Sequence, residues 1–318
     1  MEKPQKGKYE FGPITEKDVV VSIKQPGNAD TEVLIVEEQE IRLSFQKKGV
    51  VPDPRILIPA FQEMECYDDD IFICAYPKCG THWVWEMCQM IIKGKAEYHS
   101  KAKESCMVEF HLPEEYKDEP RPRIFNTHYT PVCLPKQAVE KKSKFILLHR
   151  NPKDIITSLY HHMIKTKFNI DSETTWNQFL QYILHNDREV SSNWFFYNKK
   201  WAEFTASNDL DVLVMNYEDL KIDTVSCLSK LADFIGYPRD EKMLQEISEK
   251  CTVNKMRDAE KERDSGTVVV NSEQVALLYR KGVVGDWKNQ FTVAENEQFD
   301  AHLKENMNGD HLNFKYEI

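Results

Sequence analysis

Four short and almost uninterrupted apolar runs constrain what this 318-residue chain can fold into. They occupy 71–76 (IFICAY), 123–127 (RIFNT), 144–149 (KFILLH) and 212–217 (VLVMNY). Such runs are typical of strands buried on both faces of a sheet. Helical patterns cover 81–92, 154–164 and 225–236, so that strands and helices alternate. The sequence therefore predicts an α/β fold, a single domain with a central, mostly parallel sheet flanked by helices.

Residues 1–45 show a different pattern, with short β-rich runs around a Pro-Gly-Asn turn at 26–28. We interpret 1–45 as an N-terminal extension, whose order and role the sequence does not define, and 46–318 as the main domain. The first residues lack the apolar core of a signal peptide, and no run approaches the roughly 18 apolar residues of a membrane span. We expect a cytoplasmic protein that does not bind a membrane.

Charge and cysteine spacing exclude several classes of function. The net charge of −10 argues against general nucleic-acid binding, which requires a basic face. None of the eight cysteines has Cys-x-x-Cys spacing, which argues against a zinc ribbon. We therefore expect reduced thiols, no metal site, and a few focused cations wherever an anion binds.

The segment 76–83, YPKCGTHW, joins the first predicted strand to a helix. Ligands of parallel sheets bind beyond the carboxyl ends of the strands, and the start of a helix attracts anions. Lys78 adds a charge, Gly80 allows close approach, and Thr81 adds a hydroxyl. The lysine precedes the glycine, unlike in a Walker A loop, and Trp85 stands where a cysteine phosphatase has arginine. A phosphate-binding strand-loop-helix is predicted; the alternative is a solvated loop lysine.

Polar side chains also follow the next two predicted strands. His128 is placed as a general base near neutral pH, the alternative being a hydrogen-bonded core histidine. Arg150 suits a bidentate grip on phosphate, with Ser158 two turns into the next helix; a capping or salt-bridging arginine is the alternative. Near the C-terminus, 280–282 (RKG) suits a second phosphate, unless it is a solvated basic turn.

Together these motifs resemble those of the cytosolic sulfotransferases, which use PAPS (3′-phosphoadenosine 5′-phosphosulfate). YPKCGTHW is similar to the family's loop for the 5′-phosphosulfate, and RNPKDIITS at 150–158 is similar to its 3′-phosphate motif. RKGVVGDWKNQFT at 280–292 matches the family's C-terminal signature. The resemblance covers 46–318, which it identifies as a sulfotransferase domain.

The resemblance implies two anion sites for PAPS, with Trp83 stacked on the adenine. The implied cofactor-binding residues are Lys78, Cys79, Gly80, Thr81, His82, Trp83, Arg150, Ser158, Tyr217, Cys251, Thr252, Val253, Met256, Arg280, Lys281 and Gly282.

The implied reaction is in-line sulfuryl transfer without a covalent enzyme intermediate or a metal, giving PAP as product. The implied catalytic residues are His128, Lys78 and Ser158. His128 takes the proton of an acceptor hydroxyl or amine, and Lys78 stabilises charge on the leaving phosphate.

A short C-terminal pattern, Lys-x-x-x-Thr-Val-x-x-x-Glu, also resembles the family's dimerisation segment. It is present at Lys288, Thr292, Val293 and Glu297, and implies a homodimer. We expect a small lipophilic alcohol, phenol or amine as acceptor, held by variable loops at 61–67, 97–111 and 258–267.

Three residues depart from the family pattern. Cys79 stands in place of serine, Asn126 in place of a lysine two residues before the histidine, and Val253 in place of an aromatic residue. The second departure removes a positive group near the transferring sulfonate.

Three other functions compete with this interpretation. A nucleotide-dependent kinase would require Walker-type spacing, and would leave the 3′-phosphate motifs unexplained. A non-catalytic PAPS-binding protein would have no need of His128 beside Lys78. A membrane-anchored Golgi sulfotransferase would require an N-terminal anchor.

Overall fold

The computed structural model describes residues 9–24, 30–42, 51–166, 173–262, 279–307 and 315. The strands in these ranges are β1 (Val19–Lys24), β2 (Asp30–Val36), β3 (Gln39–Arg42), β4 (Ile71–Ala75), β5 (Ile124–Thr127), β6 (Lys144–His149) and β7 (Val212–Asn216). The helices are α1 (Pro54–Gln62), α2 (Thr81–Lys93), α3 (Lys136–Glu140), α4 (Pro152–Thr166), α5 (Trp176–Leu184), α6 (Trp194–Ser207), α7 (Tyr217–Ile222), α8 (Thr224–Ile235), α9 (Glu241–Lys250), α10 (Val253–Glu262) and α11 (Val293–Asn306). Short 3-10 turns include Lys103–Cys106 and Asp286–Asn289.

The four apolar runs form one parallel sheet in the order β5-β4-β6-β7. Helices surround it, so the predicted α/β fold is confirmed. The predicted helices correspond to α2, α4 and α8. Gly94 and Gly236 end α2 and α8 in the left-handed conformation, which glycine adopts at little cost.

Aromatic side chains lock the register of the three strands β5, β4 and β6. Phe72 of β4 is paired with Phe125 on one side and with Phe145 on the other. Both neighbouring rings are stacked on Phe72, with centroids 5.2 and 5.4 Å away. All three side chains are fully buried, and each such aromatic pair adds about 0.5–1.5 kcal/mol beyond the burial of its area.

The strand order places three chain segments side by side at one edge of the sheet. The chain leaves β4 to form β5 on one side, and then returns to form β6 on the other side. Such a reversal opens a crevice at the carboxyl ends of the strands. The segments that follow β4, β5 and β6 contain Lys78, His128 and Arg150 respectively.

The three strands β1, β2 and β3 form a second, antiparallel sheet in the order β1-β2-β3. Gln39 of β3 is buried, and its Nε2 donates to Thr130 Oγ1 at 2.7 Å. Glu40 forms an ion pair with Arg188. These contacts hold β3 against the parallel-sheet region. The turn predicted at 26–28 lies outside the described residues, and the domain boundary at 45 stays a prediction.

In the ranges that the structure describes, no helix combines the length and the apolar character needed to cross a membrane. All eight cysteines are free thiols, as the spacing predicts.

A buried ion pair joins the starts of β4 and β5, and it yields a stability prediction. Arg123 donates to both carboxylate oxygens of Asp70, at 2.8 and 2.5 Å, and the two side chains are 6% and 0% exposed. Asp70→Ala leaves the guanidinium buried without its anion. We expect the free energy of unfolding, measured in urea, to fall by about 3–5 kcal/mol.

The adjacent Asp69 provides the control, because its ion pair with Arg121 is 41–51% exposed. Asp69→Ala should cost no more than about 1 kcal/mol. Equal losses in the two variants would contradict the role assigned to burial.

Candidate active site

A cavity of about 530 Å³ opens where β4, β5 and β6 end. This volume lies within the range of small-molecule sites. The predicted site residues in its wall are Lys78, Gly80, Thr81, His82, Trp83, His128, Arg150, Ser158, Tyr217, Val253, Met256, Arg280, Lys281 and Gly282. The fold thus brings together residues from segments that are up to about 200 positions apart.

Three predicted cofactor-binding residues lie outside the described cavity wall. The Cys79 thiol is buried, which raises its pKa to about 12, so it is uncharged at neutral pH. The Cys251 thiol lies 3.7 Å from Met90 Sδ in the core, and Thr252 is exposed. That these three residues bind PAPS stays a prediction.

The loop between β4 and α2 contains two residues in the left-handed backbone conformation. Lys78 has φ 73° and Gly80 has φ 99°, and both values lie in the left-handed region. A Cβ on Gly80 would lie 3.0 Å from the Tyr217 ring. Gly80, the N-cap of α2, has no side chain to cap the helix, so the first N–H groups of α2 can serve an anion in the cavity.

Arg150 connects this loop to the C-terminal segment. Its Nη1 donates to the Lys78 carbonyl at 2.9 Å, and its Nη2 donates to the Val283 carbonyl at 3.4 Å. The guanidinium lies 4.2 Å from the centroid of the Tyr217 ring. Its buried Nε has no hydrogen-bond acceptor among the described residues. Arg150 therefore retains a donor for a ligand while it positions both walls.

Two aspartates organise the C-terminal basic segment. Asp286 accepts hydrogen bonds from Arg280 at 2.5 Å and from Lys281 at 2.7 Å. Burial raises the pKa of Asp286, but these cations lower it to about 2, so it stays ionised. Asp154 of α4 accepts from the backbone N–H groups of Gly285 and Trp287 at 2.7 and 3.0 Å.

Gly282 is required by close packing against Val253. Its φ is 65°, and an added Cβ would lie 2.1 Å from Val253 Cγ2. The departure from an aromatic residue at 253 therefore places a small branched side chain directly on the basic segment.

His128 is oriented as a base. Its Nδ1 lies 2.7 Å from the carbonyl oxygen of Ala75, which can only accept, so Nδ1 carries the proton and Nε2 keeps its lone pair. Burial, followed by the charge of Lys103, lowers the pKa of His128 to about 3, so the ring is neutral at pH 7. The Glu109 carboxylate accepts from the His128 backbone N–H and from Thr127 Oγ1, which fixes the segment.

Comparison with known proteins decides the family. The model of the sulfotransferase domain matches residues 68–311. Sulfotransferase 1C2 of Homo sapiens is 32% identical over 81% of this chain and 89% of its own length. Sulfotransferase 1A1 of Bos taurus is 33% identical, over 81% of this chain and 90% of its own. This chain belongs to the sulfotransferase family.

Solved structures agree with that assignment. Mouse sulfotransferase SULT7A1 complexed with PAP has a TM-score of 0.67 at 31% identity, and the match covers 80% of this chain and 90% of that one. Retinol dehydratase in complex with androsterone and inactive cofactor PAP also has a TM-score of 0.67. Its 17% identity, over 95% of this chain and 93% of its own, shows likeness of fold alone. The predicted family and the prediction of a sulfotransferase enzyme are confirmed.

Lys78 of this sulfotransferase lies among other cations. Burial, and then the charges of Arg150, Lys103 and Arg280, lower the pKa of Lys78 to about 8. An anion in the cavity would relieve this repulsion and favour the charged ammonium.

Sequence reasoning missed part of the wall of the sulfotransferase cavity. The missed part is Gln39–Arg42 of β3. The region 97–111, predicted for the acceptor, contributes Lys103, Glu104 and Glu109 to the wall, although nothing in the sequence indicated that Lys103 and Glu104 are buried. None of 61–67 lies in the wall, although Leu57 of α1 does, and the structure describes 258–267 only as far as 262.

Proposed function

We propose that this sulfotransferase transfers the sulfuryl group of PAPS to a hydroxyl or amine of a small lipophilic acceptor, by in-line displacement. The family assignment supports sulfuryl transfer itself. One observation carries the finer proposal: the basic Nε2 of His128 shares a cavity with Lys78 and Arg150.

The residues present fit a nucleotide with anionic groups at two ends. At one end Lys78 and the start of α2 are available to the phosphosulfate. At the other end the buried Nε atoms of Arg150 and Arg280 have no acceptor among the described residues, and can donate to the 3′-phosphate. The Trp83 indole, half-buried beside Tyr217 with ring centroids 5.5 Å apart, offers a flat surface to adenine.

PAPS supplies an electrophilic sulfur and a phosphate leaving group. Nε2 of His128 accepts the proton of the attacking hydroxyl or amine. A new O–S or N–S bond forms while the bond from sulfur to the phosphate oxygen breaks, giving PAP and a sulfate ester or sulfamate. The Lys78 ammonium and the loop N–H groups stabilise the charge on the leaving oxygen. Ser158, buried in the wall, completes the proposed catalytic set.

The wall beyond His128 suits a lipophilic acceptor. It contains Leu57 of α1 and, from α4 and α5, Met163, Phe179 and Ile183. Arg42 of β3 also lies in the wall, where burial lowers its pKa. The four apolar side chains favour an acceptor with an apolar body.

We further propose a homodimer in the cytoplasm, formed through Lys288, Thr292, Val293 and Glu297. Val293, at the start of α11, is 77% exposed, an unusual position for an apolar side chain unless a partner covers it. Thr292 and Glu295 form a capping box that holds this helix start in place.

The first prediction tests His128 as the base. His128→Ala removes the proton acceptor but none of the proposed PAPS contacts. We expect turnover to fall by roughly 10²–10⁴-fold, while PAPS affinity, measured by calorimetry, stays within about threefold. The exposed His185 gives the control variant, His185→Ala, which should match the wild type. Full activity of His128→Ala would contradict the assignment.

The second prediction concerns pH. The ammonium of Lys78 is charged below its pKa of about 8 and neutral above it, so kcat/KM for PAPS should fall as pH rises through about 8. Lys78→Arg keeps a cation over the whole range, which should remove this falling limb up to about pH 10. A limb that persists in Lys78→Arg belongs to another group.

The third prediction concerns assembly. Val293→Glu adds a charge to the proposed interface without altering the capping box. Light scattering should report a dimer for the wild type and a monomer for the variant. A monomeric wild type at micromolar concentration would refute the dimer.

A further inference from the structure

Lys103 is a buried lysine in the wall of the active-site cavity. Its side chain is 3% exposed, and it begins the 3-10 turn Lys103–Cys106. Lysine is almost never fully buried without a partner for its ammonium, because desolvation of that charge is costly. The position of its nitrogen shows what this charge can act on.

The ammonium is held by the strand that leads into the proposed base. Nζ of Lys103 donates to Asn126 Oδ1 at 2.7 Å, and Asn126 lies in β5 two residues before His128. Lys103 Nζ is therefore bonded to a side chain that precedes the proposed base by two residues, at the end of β5.

Asn126 is oriented for this task by its other contacts. Its Nδ2 donates to the carbonyls of Lys103 and Cys106, at 3.1 and 3.0 Å. Since Nδ2 is engaged by two acceptors, Oδ1 must face the ammonium. The asparagine thus fixes both the 3-10 turn and the lysine tip.

The neighbouring carboxylates are engaged elsewhere. Glu104 binds His82 Nε2 at 2.9 Å, and Glu109 accepts from Thr127 and from the His128 backbone. In the described part of the chain, no carboxylate lies within ion-pair distance of Lys103. The charges of Glu104 and Glu109 act on Lys103 without an ion-pair contact, and the charge of Lys103 adds to burial in lowering the pKa values of His128 and Lys78.

We propose that Lys103 is a catalytic residue that donates from Nζ to the sulfonate oxygens during transfer, beside His128. This inference rests on the proposed function. The lysine absent at position 126 is then replaced by an ammonium from another segment, which Asn126 holds in the same place. On this proposal, Asn126 removes the lysine at that position of the sequence, but the site keeps a positive charge because Lys103 supplies one.

The test removes the charge of Lys103 while keeping a hydrogen-bond donor to Asn126. Lys103→Gln has an amide that can still donate to Asn126, but it is neutral. We expect kcat to fall by roughly 10²–10³-fold, which is the usual effect of removing one hydrogen-bond donor to a transition state. The KM values for PAPS and for the acceptor should stay within about threefold of the wild type. Lys103→Arg, which remains charged, should retain at least about a tenth of wild-type kcat.

A matched control and a rescue separate charge from folding. Lys142→Gln, in an exposed pair with Asp209 outside the predicted acceptor loops, should behave as the wild type. Adding Asn126→Lys to Lys103→Met should restore kcat by at least about tenfold over Lys103→Met alone, a gain that repaired packing would not produce. Thermal melting followed by circular dichroism confirms that each variant is folded.

The outcomes distinguish this inference from the function on which it depends. A wild-type enzyme that binds PAPS but sulfates none of a panel of phenols, alcohols and amines overturns the proposed function. An active wild type whose Lys103→Gln variant keeps its kcat overturns the role of Lys103 alone. A lower kcat in that variant without rescue by Asn126→Lys leaves Lys103 as a structural residue, and also overturns the proposal.

Discussion

The pairing of β4 with both β5 and β6 is the constraint on which the site depends. The stacked rings of Phe72, Phe125 and Phe145 hold these strands in one register. In that register the three strands end together, so the loop after each strand faces the same cavity. A slip of two residues along any strand would move one of these loops by about 6–7 Å and separate the proposed base from the proposed anion-binding loop.

The cavity concentrates positive charge in a protein that is acidic as a whole. Burial is the main cause of the lowered pKa of Lys78, and the nearby charges of Arg150 and Arg280 lower it further. Asp286 offsets part of this repulsion at the basic segment. The remaining positive potential is available to an anionic ligand, and focused potential of this kind raises both the affinity and the rate of encounter.

Lys103 and Asn126 illustrate how a chemical group can reach a site from an unexpected segment. The 3-10 turn places the Lys103 ammonium within hydrogen-bond distance of the Asn126 amide oxygen, although the two residues are 23 positions apart. In the same way β3 contributes Glu40 and Arg42 to the cavity, although its sequence gives no sign of a site. Such contributions depend on packing between segments and not on any local motif.

The sequence by itself determined the parallel sheet and the family, and it predicted an anion-binding loop, because these depend on local patterns: apolar runs, a glycine in a loop, and short ordered motifs. Only the tertiary structure decided which nitrogen of His128 is basic, since that follows from the Ala75 carbonyl of a neighbouring segment. It also decided that Lys103 is buried in the cavity wall and that Cys79 is buried outside it. A charged residue in a polar stretch gives no sign of burial, because the segments that cover it are distant in the chain and meet it only after folding.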